Sequence, residues 1–303
     1  MLTQLDRQCG SLLGLACGDA VGTTLEFCAR GSYKPLRDMV GGGPFRLQAG
    51  QWTDDTSMAL CLAESLIACD GFDAADQMDR YERWYREGYL SSTGQCFDIG
   101  NTVRAALKRY RKSGDPMAGS TLPNTSGNGS LMRLAPVVIW YSPVEHEVLE
   151  YSAQSSATTH GSAECLDACR YFGWLLHRVY LGDDPKTLIG QTPGWLQTDS
   201  IREISSGAFI QKDSKQIEGS GYVVRSLEAA LWCFFNSISF EEAILLAANL
   251  GDDADTTAAI CGQLAGAWYG VEGIPAHWQK QLYWHDGIVE LARQLVHKST
   301  GAT

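Results

Sequence analysis

Two segments of this 303-residue chain carry glycine at every fourth position. Gly10, Gly14, Gly18 and Gly22 run through Gly10-Ser11-Leu12-Leu13-Gly14-Leu15-Ala16-Cys17-Gly18-Asp19-Ala20-Val21-Gly22. Gly262, Gly266 and Gly270 do the same near the other end, among Ala258, Ala259, Ala265 and Ala267. A spacing of four puts such residues on one helix face. Glycine in a helix interior costs about 0.5–1 kcal/mol relative to alanine, so a stripe needs a compensating contact, and close approach of another backbone is the usual one. The stripes predict two buried helices, 10–22 and 254–270, packed bare face to bare face. A membrane dimer is the competing use of this spacing. The longest apolar run, Leu134 to Tyr141, is far too short for it, since a bilayer needs about 20 residues.

The second striped helix is preceded by Asn249-Leu250-Gly251-Asp252-Asp253-Ala254-Asp255-Thr256-Thr257. Acidic residues suit a helix start, where free N–H groups and the dipole favour negative charge. Asp253, Asp255 and Thr256 nevertheless gather several hard oxygen donors at one point. Gln51-Trp52-Thr53-Asp54-Asp55-Thr56-Ser57-Met58 repeats the chemistry at the start of another helix, with Thr53 as a candidate N-cap. Glu26, just past the first striped helix and beside Phe27, reads by itself as a surface residue. If the stripes meet, Glu26, Asp54, Asp55, Asp253 and Asp255 converge. Like charges about 4 Å apart repel by roughly 4 kcal/mol at an effective dielectric of 20, so such a cluster needs cations or protons. Oxygen donors without His or Cys select Mg²⁺, Mn²⁺ or Ca²⁺ over zinc. Residues 252–257 lack the loop glycine and closing Glu of an EF-hand. Two such segments suggest two adjacent ions that grip a polyol or phosphate oxygen.

Period-2 alternation is nearly absent, and the chain reads as all-α: about a dozen helices in one domain spanning 1–303. Residues 29–50 form a glycine-rich loop, suited to a flap near a site. Asp98 precedes a helix through Arg109 and by itself reads as its cap, with the basic run 108–112 at the solvated end. Asn124-Thr125-Ser126-Gly127-Asn128-Gly129-Ser130 leads into an apolar helix, Leu131 to Trp140. Such a turn is either an ordinary tight turn or an anion cradle of backbone N–H groups; it is neither a Walker loop nor a Rossmann fingerprint. His160 lies at a junction between two helices and by itself reads as a structural hydrogen-bonder. The net charge of −11 argues against nucleic acid and anionic membranes as partners. The ten cysteines include no CxxC pair and sit mostly in apolar surroundings, as expected of reduced thiols in a cytoplasmic protein. The polar start of the chain is not a signal peptide.

Taken together, the motifs resemble the ADP-ribosylglycohydrolase family, which includes dinitrogenase-reductase-activating glycohydrolase and the ADP-ribosyl-acceptor hydrolases. The matching pieces are the segment Gly14 to Gly22 with Glu26, Trp52-Thr53-Asp54-Asp55-Thr56, and Phe97-Asp98-Ile99-Gly100-Asn101-Thr102. They continue with Gly127-Asn128-Gly129-Ser130-Leu131-Met132-Arg133, Thr159-His160, Gly221-Tyr222-Val223-Val224 and Gly251-Asp252-Asp253-Ala254-Asp255-Thr256. They occur in family order over nearly the whole chain.

The resemblance implies an all-α fold with two Mg²⁺ or Mn²⁺ ions in a cleft. It makes Thr53, Asp54, Asp55, Asp253, Asp255 and Thr256 the metal ligands, with Asp98 and Glu26 the candidate catalytic carboxylates. Asn101, the turn Gly127, Asn128, Gly129 and Ser130, His160 and Tyr222 become the candidate ADP-ribose contacts. The expected reaction is hydrolysis of the bond between ribose and an acceptor side chain of an ADP-ribosylated protein, with arginine the first candidate. A monomer is the expected state. The competing readings are O-linked ADP-ribose (serine or O-acetyl-ADP-ribose), a silent ADP-ribose-binding module, and a metal-dependent phosphatase.

Overall fold

The structure, a computed structural model, describes residues 2–299. The α-helices in chain order are α1 (Gln4–Gly22), α2 (Asp54–Cys69), α3 (Ala74–Glu87), α4 (Asn101–Ser113), α5 (Ala135–Tyr141), α6 (Glu145–Ala157), α7 (Ala163–Tyr180), α8 (Pro185–Leu188), α9 (Asp199–Ser205), α10 (Val223–Phe235), α11 (Phe240–Ala248), α12 (Ala254–Gly273), α13 (Ala276–Gln281) and α14 (His285–Ser299). Among the described residues, β-type pairing is confined to three isolated bridges, so the all-α expectation holds.

The two glycine stripes do meet. A Cβ added at Gly10 would fall 2.3 Å from the Gly266 carbonyl oxygen, at Gly14 2.2 Å from that of Gly262, at Gly18 2.2 Å from that of Ala258, and at Gly22 2.5 Å from that of Ala254. The partners on α12 descend by four as those on α1 ascend, so the helices are antiparallel, with backbone against backbone. No side chain fits between them, which is the compensating contact that the stripes require. α1 is buried from Gln8 to Gly22. The hydrophobic core wraps this pair, with α2, α7, α10, α11 and α14 packed around it. Antiparallel packing sets the end of α1 beside the start of α12, and the Phe27 N–H to Asp252 oxygen and Asp252 N–H to Cys28 oxygen bonds, both 2.8 Å, stitch the two together.

Three details differ from the sequence reading. Gly270 is not a straight continuation of the stripe: at φ 70° and ψ 179° it kinks α12, a conformation that favours glycine. The apolar helix expected from Leu131 begins only at Ala135; Pro136 lies in its first turn, where a missing N–H is tolerated, and the Gln263 side chain accepts the Ala135 N–H at 2.8 Å. α13 went unread because it is short; the buried Trp278 anchors it, donating from Nε1 to Asp38 at 2.6 Å. No described helix is long and apolar enough to cross a membrane.

Candidate active site

The centre of the site is built by helix starts. The α2 N-terminus carries Thr53, Asp54 and Asp55, all buried. Thr53 occupies the N-cap position, yet its hydroxyl makes no capping bond. The capping is done by Asp19 from α1: its Oδ1 accepts the Thr53 N–H and hydroxyl, both at 2.9 Å, and its Oδ2 accepts the Thr56 N–H at 3.0 Å and hydroxyl at 2.6 Å. Two lone-pair positions on each oxygen are thereby filled, so Asp19 holds α2 in place and has little left to offer an ion. Thr53 Oγ1 also lies 3.2 Å from Asp55 Oδ2 and 3.2 Å from Asp255 Oδ2. Asp19 was missed in the sequence. It is the one charged residue in the glycine-striped segment from Gly10 to Gly22, and that was the available signal.

At the start of α12, Asp253 sits in the N-cap position and accepts from Asn128 Nδ2 at 2.7 Å, while Thr256 is buried beside Asp255. Glu26 is only 4 % exposed, so the surface reading that it invites by itself is corrected. Its Oε2 accepts the Ala254 N–H at 2.9 Å and the Asp255 N–H at 3.5 Å. Asp98 does not cap α4, whose N-cap is Gly100. It adopts φ 58° and turns inward. One carboxylate oxygen each of Glu26, Asp98 and Asp255 lie within 4.8 Å of one another, and the same holds for Asp19, Asp55 and Asp255. Asp255 thus belongs to both groups.

This crowding raises the carboxyl pKa values. Burial, then the neighbouring Asp255, pushes Asp19 and Asp253 up to about 7 and Asp98 up to about 10. Burial and then Asp255 drive Glu26 upward as well. Asp54 and Asp55 move up through burial first, with Asp98 and Asp19 respectively the next cause. The buried Asp55 Oδ1 has no hydrogen-bond partner. An orphaned carboxylate oxygen among like charges, in an all-oxygen donor set, fits hard divalent cations. Of the expected ligands, Thr53, Asp55 and Asp255 meet here, while Asp54, Asp253, Asp255 and Thr256 line the adjoining cavity.

Glu26, Asp54, Asp98, Asp253, Asp255 and Thr256 line a cavity of about 540 Å³ together with Asn101, Gly127, Asn128, Gly129 and His160. The His160 ring packs on the glycine turn: a Cβ at Gly127 would lie 3.2 Å from its Nε2, and one at Gly129 2.9 Å from its Cε1. The turn is anchored by Asn128 N–H to Gly221 oxygen at 3.1 Å and Val223 N–H to Ser126 oxygen at 3.0 Å. The Ser130 hydroxyl faces away, accepting from Ser156 at 2.8 Å. Tyr222 stands at the rim beside the lining residue Gly221, and its hydroxyl donates to Glu164 at 2.7 Å. Phe27, at φ 60° and 66 % exposed, also lines the cavity and contacts Phe45, which in turn contacts Phe97. The glycine-rich loop therefore packs Phe45 against the lining residue Phe27 and is tied down by Thr24 Oγ1 to Gly41 oxygen at 3.0 Å.

Comparison with known proteins agrees with this geometry. The family model for ADP-ribosylglycohydrolase matches residues 1–303. The chain is 47% identical over 295 residues to the ADP-ribosylarginine hydrolase Tri1 of Pseudomonas putida (strain GB-1), covering 97% of this chain and 79% of that protein. It is 32% identical over 281 residues to the ADP-ribosyl-[dinitrogen reductase] glycohydrolase of Rhodospirillum rubrum, covering 91% and 90%. Among solved structures, an ADP-ribosylglycohydrolase-related protein complex superposes with a TM-score of 0.86 at 42% identity, covering 99% of this chain and 100% of that one. With the family model spanning its whole length and the acidic helix starts in place, the chain belongs to the ADP-ribosylglycohydrolase family.

Proposed function

We propose that this protein is a metal-dependent hydrolase that removes ADP-ribose from modified arginine side chains of proteins. The observation that carries the reading is the meeting of Glu26, Asp98 and Asp255 oxygens within 4.8 Å at the cavity that the glycine turn closes. The similarity to an ADP-ribosylarginine hydrolase supports arginine as the acceptor. Thr53, Asp54, Asp55, Asp253, Asp255 and Thr256 would hold two divalent cations, Mg²⁺ or Mn²⁺. When bound, such ions supply a Lewis-acid grip on ribose oxygens.

The chain's own groups do the rest. The bond between the ribose anomeric carbon and the guanidinium nitrogen breaks, the hydroxyl of a water joins the carbon, and the remaining proton goes to the nitrogen. Asp98 is the proton-transfer group. It lies in the cavity with its carboxylate beside those of Glu26 and Asp255, placed to exchange a proton with a group bound there. Glu26 is second in line, because its Oε2 is engaged by the start of α12. Asn101, Asn128, the Gly127–Ser130 turn, His160 and Tyr222 hold the ADP-ribose. The buried free thiols of Cys9, Cys17, Cys61, Cys165, Cys169, Cys233 and Cys261 suit the cytoplasm.

The test is release of ADP-ribose from ADP-ribosyl-arginine and, separately, ADP-ribosyl-serine peptides, with Mg²⁺, Mn²⁺ or chelator. Metal-dependent release from arginine alone is expected. Release from serine alone would overturn the arginine assignment and move the proton-transfer role to Glu26. Binding of ADP-ribose without release from either would make the protein a binding module.

A further inference from the structure

Arg133 is fully buried, yet among the described residues no carboxylate pairs with its guanidinium. Its Nη1 donates to Gly129 oxygen at 2.8 Å; its Nη2 donates to Thr159 Oγ1 at 2.8 Å and Ser155 oxygen at 3.3 Å. The Nε has no acceptor, and the Tyr81 ring centre lies 4.8 Å from Cζ. A guanidinium keeps its charge, and burying one among neutral groups is costly. The reaction as described leaves this residue unused. What it touches is the back of the glycine turn and Thr159, whose hydroxyl lies 2.8 Å from His160 Nδ1.

The hydrogen positions follow from donor counts. Arginine only donates, so Thr159 Oγ1 accepts from Nη2. Thr159 is buried, and the remaining acceptor for its own hydrogen is His160 Nδ1. Were Nδ1 protonated instead, the Thr159 hydroxyl hydrogen would be left with no acceptor in a buried position. Burial first, then the charges of Arg133 and Arg109, push the His160 pKa down to about 3, so the ring is neutral. A neutral ring that accepts at Nδ1 carries its proton on Nε2. Nε2 has no protein partner and opens on the cavity beside Gly127 and Gly129. The N–H groups of Gly129 and Ser130 have no protein acceptor either.

We infer that Arg133, acting through Thr159, fixes His160 as the Nε2–H tautomer, so that the cavity wall presents a row of donors to an anionic ligand oxygen. Arg133 and Thr159 are positioning residues that touch no ligand. Under the proposed function, on which the identity of the anion rests, that oxygen belongs to the diphosphate of ADP-ribose. The tautomer itself does not depend on that reading.

The experiment combines ¹⁵N NMR of the histidine ring nitrogens with ADP-ribose calorimetry and steady-state kinetics on the wild type, Thr159→Val and Thr159→Ser. The wild type should show protonated Nε2 and unprotonated Nδ1 at His160. Thr159→Val should lose that signature, weaken ADP-ribose binding by about tenfold, and raise KM while kcat stays within about twofold. Thr159→Ser, which keeps the hydroxyl, should restore all three readouts. A wild type protonated at Nδ1, or a valine variant with unchanged tautomer or unchanged affinity, would overturn the inference. If the wild type binds no ADP-ribose, the proposed function fails, and the ring-nitrogen signature in the wild type and the valine variant alone decides the relay.

Discussion

The Glu26 carboxylate accepts the backbone N–H of Ala254 at 2.9 Å, across 228 positions of sequence. The start of α12 is therefore capped by a residue that follows α1, while Asp253, in the N-cap position itself, is left to face the cavity. An ordinary helix start would take its own aspartate as the cap. Here the borrowed cap frees that aspartate, and it also adds one more buried carboxyl to a cluster that needs cations or protons.

Proton content gives the first prediction. In the cation-free protein Asp19 and Asp253 are raised to about 7 and Asp98 to about 10, against about 3.9 in an unfolded chain. Between about pH 4 and pH 7 the folded state then holds protons that the unfolded state has released. With more protons bound when folded, stability falls as pH rises through that window, and more gently on toward pH 10 as Asp98 ionises. Thermal midpoints in chelator should drop by roughly 5 °C or more between pH 5 and 8. Saturating Mn²⁺ should flatten the curve. A midpoint that rises with pH in chelator would contradict the clustered-carboxyl picture.

The helix pair gives the second. A Cβ at Gly14 would lie 2.2 Å from the Gly262 carbonyl oxygen, with backbone on both sides and no flexible side chain to yield. Gly14→Ala should cost about 1–3 kcal/mol or prevent folding. Gly194→Ala, in open space, should stay within about 0.5 kcal/mol. Denaturant titration of the two variants separates them, and equal stability would show that the helices can part without cost.

Asp19 is expected to behave as a support for the cation cluster. An asparagine there presents an amide NH₂ to two existing donors, Thr56 or Thr53 N–H among them. Asp19→Asn should lower Mn²⁺ affinity about ten- to a hundredfold while both ions still bind. Outright loss of one of two ions in a metal titration would instead make Asp19 a ligand.

Asp98→Asn should reduce kcat on ADP-ribosyl-arginine peptide by about 10²–10⁴-fold. ADP-ribose affinity, read by calorimetry, should change only a few-fold, because the glycine turn and His160 are untouched. A variant that retains full kcat would remove Asp98 from proton transfer and leave Glu26 as the candidate.

The glycine stripes were legible because they break helix propensity so consistently that only another backbone explains them, and that pairing is what the structure shows. The paired acidic helix starts were legible for the same kind of reason: hard oxygen donors repeated in one pattern. Glu26 was not, since a single Glu beside Phe27 carries no local sign that a distant helix end will use it. Asp98 likewise had an ordinary local explanation as a cap, which only its φ of 58° and its inward placement remove. Arg133 did leave a trace, a permanent charge inside the apolar run Leu131-Met132-Arg133-Leu134. The Gly270 kink left none, because a stripe of identical residues does not say where the helix beneath it bends.

The backbone contact between α1 and α12 also works as a ruler. Its notches repeat every four residues, and each residue of a helix advances about 1.5 Å. Sliding one helix by a single notch would carry the end of α1 about 6 Å along α12, taking the Glu26 carboxylate out of reach of the Ala254 N–H and breaking the three-carboxylate group with Asp98 and Asp255. Because a carbonyl oxygen sits opposite each glycine face, a small slip meets atoms before it reaches the next notch. Angstrom-level spacing of oxygen donors at one end of the molecule is thus held by residues with no side chain, spread along the shared face of two helices.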